Sequence, residues 1–297
     1  MEAPRITEYG VPLDADAIVN PSDPETLELE SGHPGIGDAA YIRRRQDLFA
    51  LCRRHRRESL GPPIIQYSPE ETEVWRDVSA KLDVLHRQHA CSMYIEAKSA
   101  LGISDTEIPQ LRLLSDRLEQ ETRMHLVPAE GPLAYRTFYT YIGARGFPVT
   151  QFIRHKSHPE FTPEPDMIHD CLGHVPPLMN QHYAEILTLI GKAAVTTDDP
   201  LKLLALKRFS WYSIEFGLIE EASGVKVFGA GILSSTSEIP FSLFSDAVTR
   251  RPFITQEVIE TDYDPSRLQD HLFVIPSLGW LRGELVHLVR RFRIPVL

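Results

Sequence analysis

The sequence predicts one mainly α-helical domain with a few short β-strands. Three observations carry that expectation. Apolar residues recur at three- and four-residue spacing through most of the chain, helix start and stop signals bracket those stretches, and the strand-like pieces are short. The 297 residues suffice to bury a sizeable core, and no internal repeat or Pro/Gly-rich linker divides them.

Residues 1–36 are rich in Pro, Gly, Asp and Glu without a sustained period, and read as a flexible N-terminal arm before a folded domain at 37–297. Residues 39–59 form a polar surface helix ended by Gly61-Pro62-Pro63. Ser68-Pro69-Glu70-Glu71 is a helix start, with a hydroxyl cap, a proline in the first turn and a glutamate three residues after the cap. The pattern Val74, Val78, Leu82, Leu85 continues it, with a break near His89, to about Ala100; Gly102 closes the segment. Another helix runs from near Pro109 to about Glu121. Next come the short apolar piece HLVP, the aromatic helix AYRTFYTYIGARG and an extended segment at 147–154. Helices are expected at 182–195 and 199–218. KVFGAGIL (226–233) reads as a short strand or a loop pressed close to a ligand. Strands are expected at 253–259 and 272–275, and a closing amphipathic helix at 277–290.

Composition narrows the function. Hydrophobic residues make up 42% of the chain, ordinary for a globular protein. A net charge of −10 disfavours nucleic acid and anionic membranes as partners. The run Arg53-Arg54-His55-Arg56-Arg57 reads as a solvated helix face with local partners, since no aromatic residues interleave it. No apolar run reaches the roughly 20 residues that cross a bilayer, and the start MEAPRITEYG lacks signal-peptide character, so the expected location is the cytoplasm. Three scattered cysteines, Cys52, Cys91 and Cys171, do not make a disulfide framework.

The chemistry concentrates in FTPEPDMIHDCLGHVPPLMN, residues 161–180. His169 and His174 lie five apart among acids. On an ideal helix that spacing separates two side chains by roughly 140°, so they converge only if one leaves the helix; Gly173 would allow a C-cap there. Alone, the pair reads equally well as helix-end residues. Glu215, flanked by Ile214 and Phe216, adds a carboxylate that is costly to bury unpaired. A metal or an arginine would satisfy it. Two imidazoles and a carboxylate form the facial triad of non-haem Fe(II) oxygenases. Zinc hydrolysis is the rival, without either common zinc-protease spacing.

The segments TPEPDMIHDCLGHVP, WYSIEFGL and VFGAGILSS closely resemble the pterin-dependent aromatic amino acid hydroxylases, the family of phenylalanine, tyrosine and tryptophan hydroxylases. The similarity runs from about Tyr67 to Ile275. It implies a single aromatic amino acid hydroxylase catalytic domain of the compact bacterial kind, a monomer without the regulatory domain or tetramerisation tail of animal enzymes. The implied cofactors are Fe(II), held by His169, His174 and Glu215, and tetrahydropterin, held by Leu133, Phe138 and Asp170. Phe138 would stack on the heterocycle. Arg154 and Thr162 would clamp the substrate carboxylate with Ser234 nearby, and Trp211 and Phe216 would wall the aromatic ring. Without the resemblance, Arg154 reads as a salt bridge to Asp166 or Glu164, Phe138, Trp211 and Phe216 as core aromatics, and Cys171 as packing. The implied reaction is ring hydroxylation of an aromatic amino acid with O2, L-phenylalanine first, giving para- or meta-tyrosine. Tyrosine or tryptophan hydroxylation is the alternative within the family; a zinc hydrolase using the same ligands and a non-catalytic protein are the alternatives outside it. Two departures bear on the substrate: Ser210 stands where many members carry a tyrosine, and DYDPSRLQDH (262–271) diverges.

Overall fold

The structure, a computed structural model, describes residues 29, 32–131, 133–265 and 267–296. Helices α1 (Ala39–Arg57), α2 (Pro69–His89), α3 (Ser92–Leu101) and α4 (Leu111–Thr122) lead into β1 (His125–Pro128), α5 (Tyr135–Gly143) and β2 (Gly146–Val149). A π-helical turn, His169–His174, and a 3-10 turn, Pro176–Met179, precede α6 (Gln181–Thr196) and α7 (Pro200–Ser210). The last of these passes straight into a second π-helical turn, Trp211–Glu215. The chain continues through β3 (Leu218–Glu221), β4 (Gly224–Val227), α8 (Ala230–Leu233), α9 (Glu238–Phe244), β5 (Thr249–Pro252), α10 (Thr255–Glu260), β6 (His271–Ile275) and α11 (Leu278–Arg291).

Local chemistry explains the best-defined boundaries. The Ser68 hydroxyl accepts from Glu71 N–H while the Glu71 carboxylate accepts from Ser68 N–H, a complete capping box. Val74, Val78 and Leu82 then share the buried face of α2. The break near His89 is real: Ala90 and Cys91 are extended, and Cys91 N–H donates to Val227 O at 3.0 Å. Buried Ile186, Leu187 and Ile190 place α6 at the centre of the core. A parallel β1–β2 pair lies apart from a four-stranded sheet in the order β4-β3-β6-β5, in which only β3–β4 is antiparallel. Gly224, with φ +108°, lets the short β3–β4 turn close.

Several expectations need correction. The helix at 199–218 stops at Ser210 and becomes the π-helical turn, and Leu218 opens β3. Residues 253–259 are not a strand. The pairing falls to polar Thr249–Pro252, and α10 buries Val258 and Ile259 against the core, where packing overrides the β-branched preference. The 226–233 segment divides into the end of β4 and the short α8.

Residues 1–28, 30 and 31 of the expected arm lie outside the described residues. Within 32–36, His33 is buried, with its ring 3.4 Å from Glu164. In the arginine run, Arg53 and Arg56 both pair with Glu130, which is 3% exposed, so part of that charge is spent internally. The three cysteines are free and buried. Among the described residues no helix is long and apolar enough to cross a membrane.

Candidate metal centre

His169 and His174 converge because the backbone between them is wound wider than an α-helix. Val175 N–H donates to Asp170 O five residues back, at 3.1 Å. This i→i+5 winding replaces the divergence of an ideal helix. Gly173 serves a different purpose from the C-cap that the sequence suggests. A Cβ there would stand 2.6 Å from Ala230 O, so glycine is needed for α8 to approach the turn. Glu215 arrives on the second π-helical turn, where Phe216 N–H donates to Trp211 O at 2.8 Å. The glycines of KVFGAGIL press against this turn: a Cβ on Gly229 would meet Glu215 O at 2.3 Å.

The donor atoms then fall together. His174 Nε2 lies 3.1 Å from His169 Nε2 and 3.3 Å from Glu215 Oε1. Ligands about 2.1 Å from one ion, at right angles to each other, stand about 3 Å apart, so His174 is at ligand spacing from each of the other two. The Ser234 hydroxyl donates to Ala230 O at 2.9 Å and lies 2.9 Å from His169 Nδ1. With that proton on the carbonyl the hydroxyl is free to accept from Nδ1–H, the tautomer in which Nε2 turns a lone pair towards His174.

Asp170 also brings a carboxylate oxygen within 4.8 Å of donor atoms on both histidines, so two acids compete for the third position. Of the two, Glu215 is the one whose charged form is favoured. Burial acts against its charge, but the adjoining His174 holds its pKa below the ordinary value. Burial instead lifts Asp170 to about 6, and its Oδ2 already accepts from the Thr150 N–H at 2.7 Å and hydroxyl at 2.8 Å. The imidazoles differ likewise. Burial, then His174, pushes His169 down to about 4. For His174 burial also opposes charge, but Glu215 outweighs it and the pKa rises. The two imidazoles are thus pushed in opposite directions, His174 towards the charged form and His169 away from it.

Around this centre, the salt-bridge alternative for Arg154 resolves to Asp166. Arg154 donates through Nε at 2.9 Å and Nη2 at 2.7 Å to a carboxylate with no exposure, while Glu164 pairs with Arg45. Nη1 has only a long contact, 3.4 Å, to Pro159 O. The Thr162 hydroxyl is buried with no partner in the described structure, an orphan in search of an acceptor or donor. Trp211 lies between two rings, 4.6 Å from Phe216 and 4.2 Å from Tyr263 in a near-parallel stack. Its Nε1 donates to Gln269 Oε1 at 3.1 Å. Phe138 packs edge-on to Phe147, whose ring lies 4.9 Å from that of His174. Leu133 is half-buried just ahead of α5.

Sequence reading missed several of these partners. Asp166 figures there only as a rival for Arg154, yet its Oδ1 also accepts from His169 N–H at 3.1 Å. It ties Arg154 to the His169–His174 turn. Thr150, Phe147, Tyr263 and Gln269 carry no motif; their only signal was proximity to segments already singled out.

A mainly helical frame thus presents two imidazoles and a carboxylate from two π-helical turns, a donor set of the kind that holds a single metal ion. A family profile described as biopterin-dependent aromatic amino acid hydroxylase matches residues 13–295, and the chain belongs to that family. It is 41% identical over 213 residues to a chloroplastic phenylalanine 4-monooxygenase of Pinus taeda, covering 71% of this chain and 59% of that one. It is 34% identical over 284 residues to tyrosine 3-monooxygenase of Bos taurus, covering 94% of this chain and 56% of that one. Both relatives are therefore considerably longer than the matched region. Phenylalanine hydroxylase of Chromobacterium violaceum, solved with iron(III) and 7,8-dihydrobiopterin, superposes with a TM-score of 0.72 at 31% identity, over 77% of this chain and 84% of that one.

Proposed function

We propose that this chain is an Fe(II)- and tetrahydropterin-dependent monooxygenase that hydroxylates the ring of an aromatic amino acid, L-phenylalanine before tyrosine. The observation that carries the proposal is His174 Nε2 standing at ligand spacing from both His169 Nε2 and Glu215 Oε1. Family membership supports it, as does the resemblance to the phenylalanine hydroxylase solved with iron and a dihydropterin.

His169, His174 and Glu215 would hold iron on one face and leave the opposite positions free. Iron and tetrahydropterin, when bound, supply the reduction of O2 that delivers one oxygen atom to the ring. Everything else is placement by this chain's residues. Arg154 is anchored by Asp166 and has Nη1 to offer; with the unpartnered Thr162 hydroxyl it would clamp the substrate carboxylate. Trp211 and Phe216 would wall the ring. Phe138 would stack on the pterin beside Leu133, and Asp170 would accept from it through the oxygen not used by Thr150. Ser234, expected beside the substrate, is committed to His169 and we assign it to orienting that ligand. In this reading the partners are small molecules, and the chain works as a cytoplasmic monomer.

The test is product analysis with Fe(II), tetrahydropterin, O2 and each of phenylalanine, tyrosine and tryptophan, with para- and meta-tyrosine resolved by chromatography. Phenylalanine should give hydroxylated product at the highest kcat/KM. Absence of product from all three amino acids would overturn the proposal.

A further inference from the structure

Two backbone carbonyls next to the donor cluster are gripped by side chains that reach it from α2 and α3. His86 Nε2 lies 2.7 Å from Leu233 O, and the Tyr94 hydroxyl donates to Leu172 O at 2.6 Å. Leu172 sits inside the turn between His169 and His174. Leu233 precedes Ser234, whose hydroxyl meets His169. Both gripping side chains are buried, His86 with 2% exposure and Tyr94 with none. Behind them Lys98 Nζ stands 3.3 Å from His86 Nδ1 and 3.2 Å from Asp83 Oδ1.

Counting protons fixes the directions. Tyr94 has one, spent on Leu172 O, so the donor to His86 Nδ1 is Lys98. With Nδ1 accepting, Nε2 carries the hydrogen and donates to Leu233 O. Burial, reinforced by Lys98, keeps this imidazole neutral by pushing its pKa down to about 3. Buried ionic groups of this kind add little stability over apolar side chains of similar volume. What the arrangement does supply is a fixed position for two carbonyls on either side of His169.

We propose that His86 and Tyr94 are positioning residues for the metal centre, with Lys98 setting the His86 tautomer. His86 acts on His169 through Leu233 and Ser234. Tyr94 acts on the π-helical turn through Leu172. Neither touches the metal or the substrate. The inference rests on His169, His174 and Glu215 being the metal ligands.

The experiment uses the full chain titrated with Co(II), whose visible absorption reports ligand geometry independently of turnover. Wild type, Tyr94→Phe, His86→Leu and His86→Gln are compared, with circular dichroism as the fold control. Tyr94→Phe and His86→Leu should each weaken Co(II) binding about tenfold, the lower end for partners outside the ligand shell, and shift the absorption envelope. His86→Gln keeps an N–H within reach of Leu233 O and should return both readouts toward wild type. A loss of packing alone would lower stability without moving the spectrum. Wild-type affinity and spectrum in both Tyr94→Phe and His86→Leu overturn the inference. If His86→Leu does not fold, Tyr94→Phe, which removes a single oxygen, decides alone. A wild type that takes up no cobalt overturns the ligand assignment itself, and this inference with it.

Discussion

The metal side and the ring side of the site are built in opposite ways. His169, His174 and Glu215 ride on two π-helical turns packed into the core, and the backbone of each turn is pressed by α8 so closely that only glycine fits. The ring side is Trp211, Phe216 and Tyr263, all partly exposed and backed by the irregular segment after α10. Side-chain bonds hold that segment. Gln269 accepts from Trp211 and donates to Asp264 O and Arg267 O, Tyr212 donates to Asp262 O, and Arg208 pairs with Asp262. On the proposed reading, the ligands would be fixed by packed turns, and the choice of ring would fall to a surface segment held by side-chain bonds.

The largest effect that should break this division comes from Asp166→Asn, since Asp166 belongs to both sides. It bonds Arg154 through two nitrogens and His169 through its N–H. Stranding the buried guanidinium should cost about 3–5 kcal/mol in denaturant unfolding and raise KM for the amino acid. A stability within 1 kcal/mol of wild type would show that Arg154 has another partner. Next in size, Asp170→Asn should stabilise the metal-free protein at neutral pH. The folded pKa of about 6 stands above the unfolded value, so this carboxyl's contribution is fully present below about 4 and is lost as pH rises through 6. At pH 7 its ionised form costs at most about 3 kcal/mol, which the amide avoids. The difference between variant and wild type, followed by denaturation from pH 4 to 8, should grow across that window; a flat difference contradicts it.

Smaller effects sharpen the comparison. Gln269→Leu frees Trp211 Nε1 and two loop carbonyls, and should raise KM for phenylalanine about threefold to tenfold, or shift the para-to-meta product ratio, for roughly 1 kcal/mol of lost hydrogen bonding. Metal content should stay at the wild-type level; its loss would mean that the two sides are coupled. Finally, metal affinity should fall as pH drops through the raised His174 pKa, with a slope of one proton per metal. His169, pushed down to about 4, is already neutral in that range. A two-proton slope, or no dependence from pH 5 to 8, counts against the pair as drawn.

Caps made much of the frame legible. Ser68 with Glu71 marks a helix start that the structure keeps, and the starts expected at 199 and 277 fall on Asp199 and Ser277, which the structure shows as caps. The π-helical turns were not legible, because a few residues wound at i→i+5 leave no apolar period of their own. Hence Gly173 read as a cap and 199–218 as one helix. α10 was misread because Val258 and Ile259 look like strand residues until the core they pack against is known. The proposed ligand residues stood out by type and by family resemblance. The residues that reach the carbonyls beside them did not: His86 and Tyr94 each bond a carbonyl across a long sequence separation, which no local pattern records.

The central claim is that Glu215, and not Asp170, completes the site with the two histidines. Iron content after reconstitution and desalting tests it in three proteins: wild type, Glu215→Ala and Asp170→Asn. One iron per chain in wild type and Asp170→Asn, and almost none in Glu215→Ala, is the expected result. Iron retained by Glu215→Ala and lost from Asp170→Asn would contradict the account.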